Sequence, residues 1–316
     1  MKATLLARQA VRPWIDVATG PILVGVSGGA DSMALALALK LESHNREVIC
    51  VVIDHGLQNN SAEIAESTST QLSQLGFKRI EKVRVQVEML DGVEASARRA
   101  RYAAFDSLAE KYSAQQFFLG HTENDLAESV LLGLARGSGT RSLSGISEVN
   151  GIYIRPFLSV TRSTTELVCE EHSVAPWQDP HNDDRQFIRV RVRKDILPLM
   201  ERDLGPGISE ALARSSRILR EDADALDEMA DNFLAAADPY SVEDLALLPK
   251  AVRVRVLRAL IYQAGAPQGT LTYDHIAPVE ALITAWHGQG ATSLPGGVKV
   301  ERISGRLSLS QQGSNK

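Results

Sequence analysis

Cysteine is nearly absent from this 316-residue chain, which contains only Cys50 and Cys169. The two lie far apart in sequence and neither belongs to a Cys-x-x-Cys pair. A disulfide framework, a cysteine zinc site or an iron–sulfur cluster is therefore not expected. Cys50 lies inside an apolar run and is expected to be a buried strand residue. Sulfur-transfer chemistry, which needs reactive cysteines, loses support for the same reason.

Long apolar runs are lacking as well. No stretch approaches the roughly 20 consecutive apolar residues that cross a bilayer. The segment Met1–Pro21 has neither the apolar core nor the small-residue cleavage site of a signal peptide. We therefore expect a soluble, cytoplasmic protein without a membrane partner.

The chain has no excess of positive charge, since 34 lysines and arginines stand against 39 acids, a net charge of −5. This balance argues against non-specific binding of nucleic acid. An average can hide a local patch, however. Arginine outnumbers lysine nearly three to one, and Arg185–Arg202 is strongly basic. The next helical pattern, over Gly207–Ala236, is rich in acids instead.

Short apolar runs alternate with helical patterns over the first half of the chain. This alternation predicts βαβ units and an α/β fold with a doubly wound, mainly parallel sheet. After it, the pattern turns helical, and a seven-residue apolar spacing predicts one long helix over Gly207–Ala236. A smaller, mostly helical α+β domain ends the chain in a hairpin joined at Ser304–Gly305. The predicted strands are Ile22–Val26, Val48–Ile53, Val83–Val87, Gln116–Leu119, Tyr153–Phe157, Val298–Ile303 and Arg306–Ser310.

A glycine-rich turn, Ser27–Ser32, follows the first predicted strand and precedes a helical pattern. Two glycines let the backbone turn sharply and bring its N–H groups against a phosphate. The helix N-terminus adds unpaired donors and partial positive charge. A carboxylate in such a turn implies Mg²⁺, a proton to remove or a group to orient. The predicted ATP-binding residues of the turn are Ser27, Gly28, Gly29, Ala30, Asp31 and Ser32.

The same turn has a purely structural alternative, in which the glycines open a helix and the serines and the aspartate cap it. Its position after a buried strand and its acid favour phosphate binding. No lysine follows the glycines, so the turn is not a Walker A loop. A kinase or a GTPase is therefore not expected.

Ser27–Ser32 resembles the signature of the N-type ATP pyrophosphatases, the PP-loop enzymes, which cleave ATP between its α and β phosphates. Further stretches are similar to the tRNA(Ile)-lysidine synthetase family across roughly residues 20–205. A weaker similarity, to a short C-terminal domain of some bacterial members, covers Leu271–Gly297. The stretches that carry the main resemblance are Ile53–Leu57, Glu94–Tyr102, Gly120–Gly139 and Trp177–Pro198.

The resemblance implies an adenine-nucleotide α-hydrolase-like sheet and a two-step ligation. ATP would adenylate the C2 oxygen of the wobble cytidine in a CAU-anticodon tRNA(Ile), and free L-lysine would then displace AMP. ATP, Mg²⁺, L-lysine and tRNA(Ile) are the implied ligands, and a homodimer is left open. Residues 1–205 would form the catalytic domain, 206–237 a linking helix and 238–316 a small tRNA-binding domain.

Asp125 and Glu128 lie three positions apart on one face of a predicted helix, so their carboxylates can converge. Taken alone, such a pair is more often a solvated helix face. Within the resemblance, we interpret both as binding the substrate lysine, whose ammonium groups need acids. The family usually has two adjacent acids here, and Asn124 stands in place of the first.

His121, at the end of the fourth predicted strand, and Arg101 have structural alternatives as a packed histidine and a surface ion-pair partner. The resemblance favours the active site for both. We predict Asp31, His121 and Arg101 to be catalytic, with Asp31 as proton acceptor or metal ligand. Arg101 would donate to phosphate or to the lysine carboxylate. His55 closes the second strand, where ATP's base and ribose would lie.

Arg189, Arg191 and Arg193 alternate with valines. In an extended strand the three guanidinium groups would share one face, and in a helix they would spread. Such a run is usually a solvated face. In an otherwise acidic chain, contact with tRNA phosphates or with the polyphosphate of ATP is favoured.

Two other functions stay open at this point. One is another PP-loop ATP pyrophosphatase, either an amide synthetase or a tRNA thiolase. Such enzymes need a catalytic or reactive cysteine, which Cys50 and Cys169 do not fit. The other is a non-catalytic nucleotide-binding module, which would release no pyrophosphate with any substrate.

Overall fold

The computed structural model describes residues 2–56, 60–86, 93–137 and 139–311, with the backbone alone at 93 and 94. The last residue of the predicted strand Val83–Val87 and of the motif Ile53–Leu57 lies outside the described residues. The chain divides into two compact units, the first ending at Leu219 and the second beginning at Arg220.

The first unit contains a six-stranded sheet in the order β3-β2-β1-β4-β6-β5. Only the pairing of β5 with β6 is antiparallel among the pairings of these strands. The predicted mainly parallel α/β sheet is therefore confirmed. Its strands are β1 (Ile22–Gly25), β2 (Val48–Asp54), β3 (Arg79–Arg84), β4 (Gln116–Phe118), β5 (Val149–Asn150) and β6 (Tyr153–Ile154).

Helices cover the sheet, and its central strands β1 and β2 are apolar on both faces because both faces are buried. Ile22 and Val24 of β1 pack into one hydrophobic core, and Leu23 between them packs into another. The helices that begin in this unit are α1 (Lys2–Ile15), α2 (Ala30–Glu42), α3 (Ser61–Gln74), α4 (Val93–Tyr112), α5 (Glu123–Ala135), α6 (Thr140–Leu143), α7 (Arg162–Glu171), α8 (Ile188–Arg191), α9 (Leu197–Leu204) and α10 (Ile208–Ala236).

The strand order reverses at β1, which pairs with β2 on one side and with β4 on the other. In open α/β sheets, the crevice outside the carboxyl ends of strands at such a reversal is where ligands bind. The phosphate turn follows β1, and Gly120 and His121 follow β4. The fold therefore brings these two motifs to one place.

Two predicted strands have wrong bounds. The third strand, predicted to begin at Val83, begins at Arg79 and ends at Arg84. The strand predicted over Tyr153–Phe157 ends at Ile154, and Pro156, which has no N–H for a ladder, opens a 3₁₀ turn. The arginine segment, for which the sequence left an extended and a helical conformation open, is helical, with α8 running into π-helical residues Val192–Ile196. Helical geometry places Arg189 and Arg193 on one face, four residues apart, and Arg191 elsewhere.

The second unit has its own core beneath a three-stranded antiparallel sheet. The predicted hairpin is confirmed, and its turn residues Ser304 and Gly305 both have positive φ, at 47° and 80°. This is the two-residue turn that matches the twist of paired strands. The remaining elements are α11 (Val242–Leu247), α12 (Lys250–Gln263), α13 (Tyr273–Thr284), β7 (Thr292–Ser293), β8 (Val298–Ile303) and β9 (Arg306–Gln311). Across the described part of the chain, no helix combines the length and apolarity needed to cross a membrane.

Candidate active site

The phosphate turn is held in shape by its own residues. Gly28 has a φ of +86°, and a Cβ at this position would lie 2.5 Å from Thr68 Oγ1. Its carbonyl accepts a hydrogen bond from the Trp177 N–H at 2.9 Å. Gly29 is the N-cap of α2 with an ordinary φ of −72°, and a Cβ there would approach only Ser27 Oγ within 4 Å. The space above Gly29 is therefore open to a ligand.

The two serines of the turn are occupied in different ways. Buried Ser32 donates its hydroxyl to the Gly29 carbonyl at 2.9 Å and accepts the Ser27 N–H at 3.1 Å. The hydroxyls of Ser27 and Ser32 lie 3.2 Å apart. Ser32 thus stabilises the turn, whereas Ser27 is the serine closer to its open side.

Asp31 lies in the first turn of α2 and contacts α7. Arg162 Nε donates to its Oδ2 at 3.2 Å, and the Thr165 hydroxyl donates to Oδ1. Burial raises the pKa of the Asp31 carboxyl, and the nearby Asp125 adds to the rise, while Arg162 and Thr165 oppose it. The acid of the turn is therefore a better proton acceptor than an exposed aspartate.

Asp125 lies in the first turn of α5 and is bound from three sides. Its Oδ2 accepts the Thr122 N–H at 2.8 Å and hydroxyl at 2.9 Å. Its Oδ1 lies 3.4 Å from Arg162 Nη2 and 3.5 Å from Arg193 Nη2. Burial acts to raise the pKa of Asp125, but Arg162 and the Thr122 N–H outweigh it, and the pKa is lowered.

Glu128 lies one helical turn after Asp125 and is fully buried. Its Oε1 accepts Arg193 Nε at 2.6 Å, and its Oε2 accepts Arg193 Nη2 at 3.0 Å and Arg189 Nε at 3.1 Å. The two acids therefore converge, as their spacing predicts. The structure adds that two of the three predicted RNA-contacting arginines already neutralise one of them. Arg191 is exposed and donates to the carbonyls of Arg185 and Gln186.

Asn124 does not supply a free acceptor to a ligand, since its Oδ1 accepts the Arg162 N–H at 2.9 Å. The family's acid at this position is thus replaced by an amide that orders the start of α7. Arg162 itself is not indicated as a site residue by any sequence pattern described above. The only available signal was an arginine directly after the helix-capping residue Thr161.

His121 lies beside the turn because Gly120 packs against it, where a Cβ would lie 3.1 Å from the Asp31 backbone. Burial lowers the pKa of His121 to about 4, and Arg101 contributes to that depression. Burial and Arg101 also lower the pKa of His55. Within the described residues, the buried Nδ1 atoms of both histidines have no hydrogen-bond partner. The structure thus brings His55, His121 and Arg101 into one electrostatic neighbourhood.

A cleft of about 500 Å³ opens between α5, α6 and α8. It is adjacent to the acids, since Arg189 lines it and also binds Glu128. Phe187 contributes an exposed aromatic ring, and hydroxyl and guanidinium groups share the lining with aliphatic side chains. This mixture suits an unstacked nucleobase and its phosphate. The lining includes Ser129, Leu132, Arg136, Ser142, Ile146, Phe187, Ile188 and Arg189.

The described residues contain no group of three or more His, Cys, Asp or Glu able to hold a metal ion. Mg²⁺ in nucleotide sites usually has one or two protein carboxylates, with phosphates and water as its other ligands. Asp31 alone, in the first turn of the helix that follows β1, fits that requirement. Both cysteines are buried, and burial raises the pKa of Cys169 to about 11.

Comparison with known families gives two matches along the chain. Residues 3–200 match the model described as PP-loop domain, and residues 241–308 match the one described as TilS substrate binding domain. Together they span most of both compact units.

Relatives named tRNA(Ile)-lysidine synthase align over nearly the whole chain. The protein of Streptomyces coelicolor is 48% identical over 92% of this chain and 85% of its own length. That of Thermobifida fusca is 44% identical, covering 96% and 97%. A solved structure, the U34-tRNA thiolase NcsA from Methanococcus maripaludis with its [4Fe-4S] cluster, superposes with a TM-score of 0.58. It is 15% identical and covers 69% of this chain and 80% of that one, a likeness of fold alone.

Proposed function

This chain belongs to the tRNA(Ile)-lysidine synthase family, and from that membership we propose that it ligates L-lysine to the wobble cytidine of CAU-anticodon tRNA(Ile). The observation that carries the proposal is the single guanidinium of Arg162, which contacts both Asp31 and Asp125. The acid of the phosphate turn and the acid of α5 are therefore neighbours. A site for ATP and a site for a cationic amine lie side by side.

In the first half-reaction, the C2 oxygen of the cytidine attacks the α-phosphorus of ATP, and pyrophosphate leaves. The open N–H groups around Gly29 and the N-terminus of α2 stabilise the phosphate charge. Asp31 is the residue that would hold Mg²⁺, which neutralises phosphate charge when bound. Arg101 is assigned to phosphate or to the lysine carboxylate, near His121 and His55.

In the second half-reaction, the side-chain amine of lysine attacks C2 and AMP leaves. The amine must lose a proton, and Asp31, whose pKa is raised by burial, is the proposed acceptor. We propose that Asp125 binds an ammonium group of the substrate lysine directly. Glu128 takes part through Arg193, because both of its oxygens already accept guanidinium N–H groups.

We propose that the cleft beside α8 receives the extruded base, with Phe187 as its stacking surface. Arg189 joins this cleft to the acids, and exposed Arg191 is the proposed phosphate contact among the three arginines. We propose that the reaction takes place in the cytoplasm. That the protein forms a homodimer stays a prediction. The buried cysteines give no support to thiolation.

The test incubates the protein with ATP, Mg²⁺, radiolabelled lysine and a CAU-anticodon tRNA(Ile) transcript. Label should enter the RNA with stoichiometric AMP, and a transcript with a GAU anticodon should stay unlabelled. Asp31→Asn should abolish labelling while the thermal unfolding midpoint stays within a few degrees. Incorporation of label from glutamine or from a sulfur donor would refute the proposal. If no pyrophosphate is released with any substrate, a nucleotide-binding module is favoured.

A further inference from the structure

We propose that Arg162 is a positioning residue that clamps Asp31 to Asp125 until ATP arrives, and thereby makes lysine binding depend on bound nucleotide. The inference rests on the proposed function and adds to it an order of events. The Arg162 guanidinium divides its donors between two acids, with Nε 3.2 Å from Asp31 and Nη2 3.4 Å from Asp125.

The backbone of Arg162 is anchored independently of its side chain. Its N–H donates to Asn124 Oδ1 at 2.9 Å. Thr161 caps the same helix by accepting the Thr164 N–H. The side chain can therefore exchange partners without unfolding the start of α7.

The charges of the cluster explain why the clamp matters. Three acids face three guanidinium groups. Arg189 and Arg193 bind Glu128, Arg193 also lies 3.5 Å from Asp125, and Arg162 contacts both Asp125 and Asp31. Asp31 contacts Arg162 and Thr165. Among the described residues, Arg162 is thus the cation found between the turn and α5.

Each substrate changes one side of this balance. ATP brings a polyphosphate to the turn, and an arginine fork binds phosphate oxygens at least as well as a carboxylate. When the guanidinium turns toward phosphate, Asp125 loses a competitor for the lysine ammonium. ATP should therefore tighten lysine binding, and Arg162 should be the residue that carries this coupling.

Equilibrium dialysis of labelled lysine, with and without a non-hydrolysable ATP analogue, tests the clamp. In the parent the analogue should tighten lysine binding by about tenfold, a typical coupling between sites. In Arg162→Gln this factor should fall toward one, with lysine affinity in the absence of nucleotide equal to or tighter than the parent's. Turnover in the same variant should fall by about 100-fold, because the phosphates lose a donor.

Arg162→Lys retains the charge but cannot span both carboxylates, so it should recover part of the turnover and little of the coupling. Millimolar guanidinium should restore turnover to Arg162→Ala. Arg79→Gln is the matched control, since Arg79 is the first residue of the edge strand β3 and pairs with Glu47 at 3.4 Å. It should behave as the parent.

Unchanged coupling in Arg162→Gln would overturn the clamp, and so would lysine binding weakened equally with and without the analogue, which indicates a structural role. If Arg162→Gln fails to fold, unchanged coupling in Arg162→Lys overturns it instead. Lysine incorporation by the parent is measured first. Its absence counts against the proposed function, whereas incorporation together with unchanged coupling counts against the clamp alone.

Discussion

At the scale of single residues, His121 is an imidazole that the fold holds neutral at the end of β4. Burial, aided by Arg155 and Arg101 and opposed by Asp125, lowers its pKa to about 4. In the unfolded chain the pKa of a histidine is about 6.5. As the pH falls, the unfolded state therefore binds a proton at His121 before the folded state does. The contribution of His121 to stability is therefore complete above pH 6.5 and is lost progressively between about pH 6.5 and 4.

We expect His121→Gln to remove that pH dependence. Between pH 7 and pH 5 the parent should lose on the order of 2 kcal/mol of unfolding free energy through His121, and the variant should not. Urea unfolding at the two pH values, followed through Trp14 and Trp177 of the first unit, measures the difference. Equal losses in parent and variant would mean that water reaches the ring in the folded state.

Removing the charge of Asp125 and removing that of Glu128 should have different effects. Asp125→Asn leaves an acceptor for Thr122 but no charge for an ammonium, so we expect the KM for lysine to rise by about tenfold or more. Glu128→Gln leaves Arg189 and Arg193 without their buried partner, and unfolding free energy should fall by about 3 kcal/mol. Lysine titration and urea unfolding of both variants check this. A rise in lysine KM with unchanged stability in Glu128→Gln would show direct contact with substrate.

The sequence reveals some of these residues and not others, for a physical reason. Asp31, His121 and Asp125 belong to local motifs whose residue types and spacing indicate their chemistry. Arg162 lies 131 positions from Asp31 and 37 from Asp125, and its role exists only when β1 and α5 are brought together. Long-range electrostatics of this kind leaves no local pattern.

At the scale of elements, the two glycines of the phosphate turn have different duties. Gly28 is required by the fold, because its φ is +86° and a Cβ would collide with Thr68 Oγ1. Gly29 has a φ open to any residue and no close neighbour for a Cβ except Ser27 Oγ at 3.6 Å. Its missing side chain therefore serves the ligand rather than the fold.

The matched pair Gly28→Ala and Gly29→Ala tests this division. We expect Gly28→Ala to lower the unfolding free energy by about 2 kcal/mol. Gly29→Ala should change it by less than about 0.5 kcal/mol, yet weaken ATP binding at least about tenfold by filling the phosphate's space. Thermal unfolding and nucleotide titration of both variants are the measurements. A stable Gly29→Ala variant with parental ATP affinity would place the phosphates elsewhere.

Element types were predictable where burial requires a continuous apolar run, as in β1 and β2, or an alternating one, as in the hairpin of β8 and β9. The arginine segment was not, because Arg189–Arg193 alternates polar and apolar residues like a strand. The structure makes it helical, burying Val190 and Val192 and directing Arg189 and Arg193 to one carboxylate. Satisfying buried Glu128 outweighs the local alternation, and only tertiary structure supplies that acid.

At the scale of the whole molecule, an acidic chain must bind an acidic partner. The net charge of −5 gives no general attraction to RNA, so binding depends on where arginines are free to meet phosphates. If the basic segment made about six phosphate contacts, affinity would fall on the order of a thousandfold between 50 and 200 mM salt. The pairing of Arg189 and Arg193 with Glu128 predicts a shallower dependence.

Salt titrations of tRNA binding by three variants separate the surface arginines from the buried ones. Arg191→Gln should reduce the slope of log affinity against log salt by about one unit, the effect of one lost phosphate contact. Arg193→Gln should leave that slope unchanged while abolishing lysine incorporation, because buried Glu128 loses the guanidinium that binds both of its oxygens. Arg79→Gln, at the start of the edge strand β3, should change neither the slope nor lysine incorporation. A slope reduced by Arg193→Gln as much as by Arg191→Gln would show that tRNA draws Arg193 away from Glu128, and the acid cluster would then open when RNA binds.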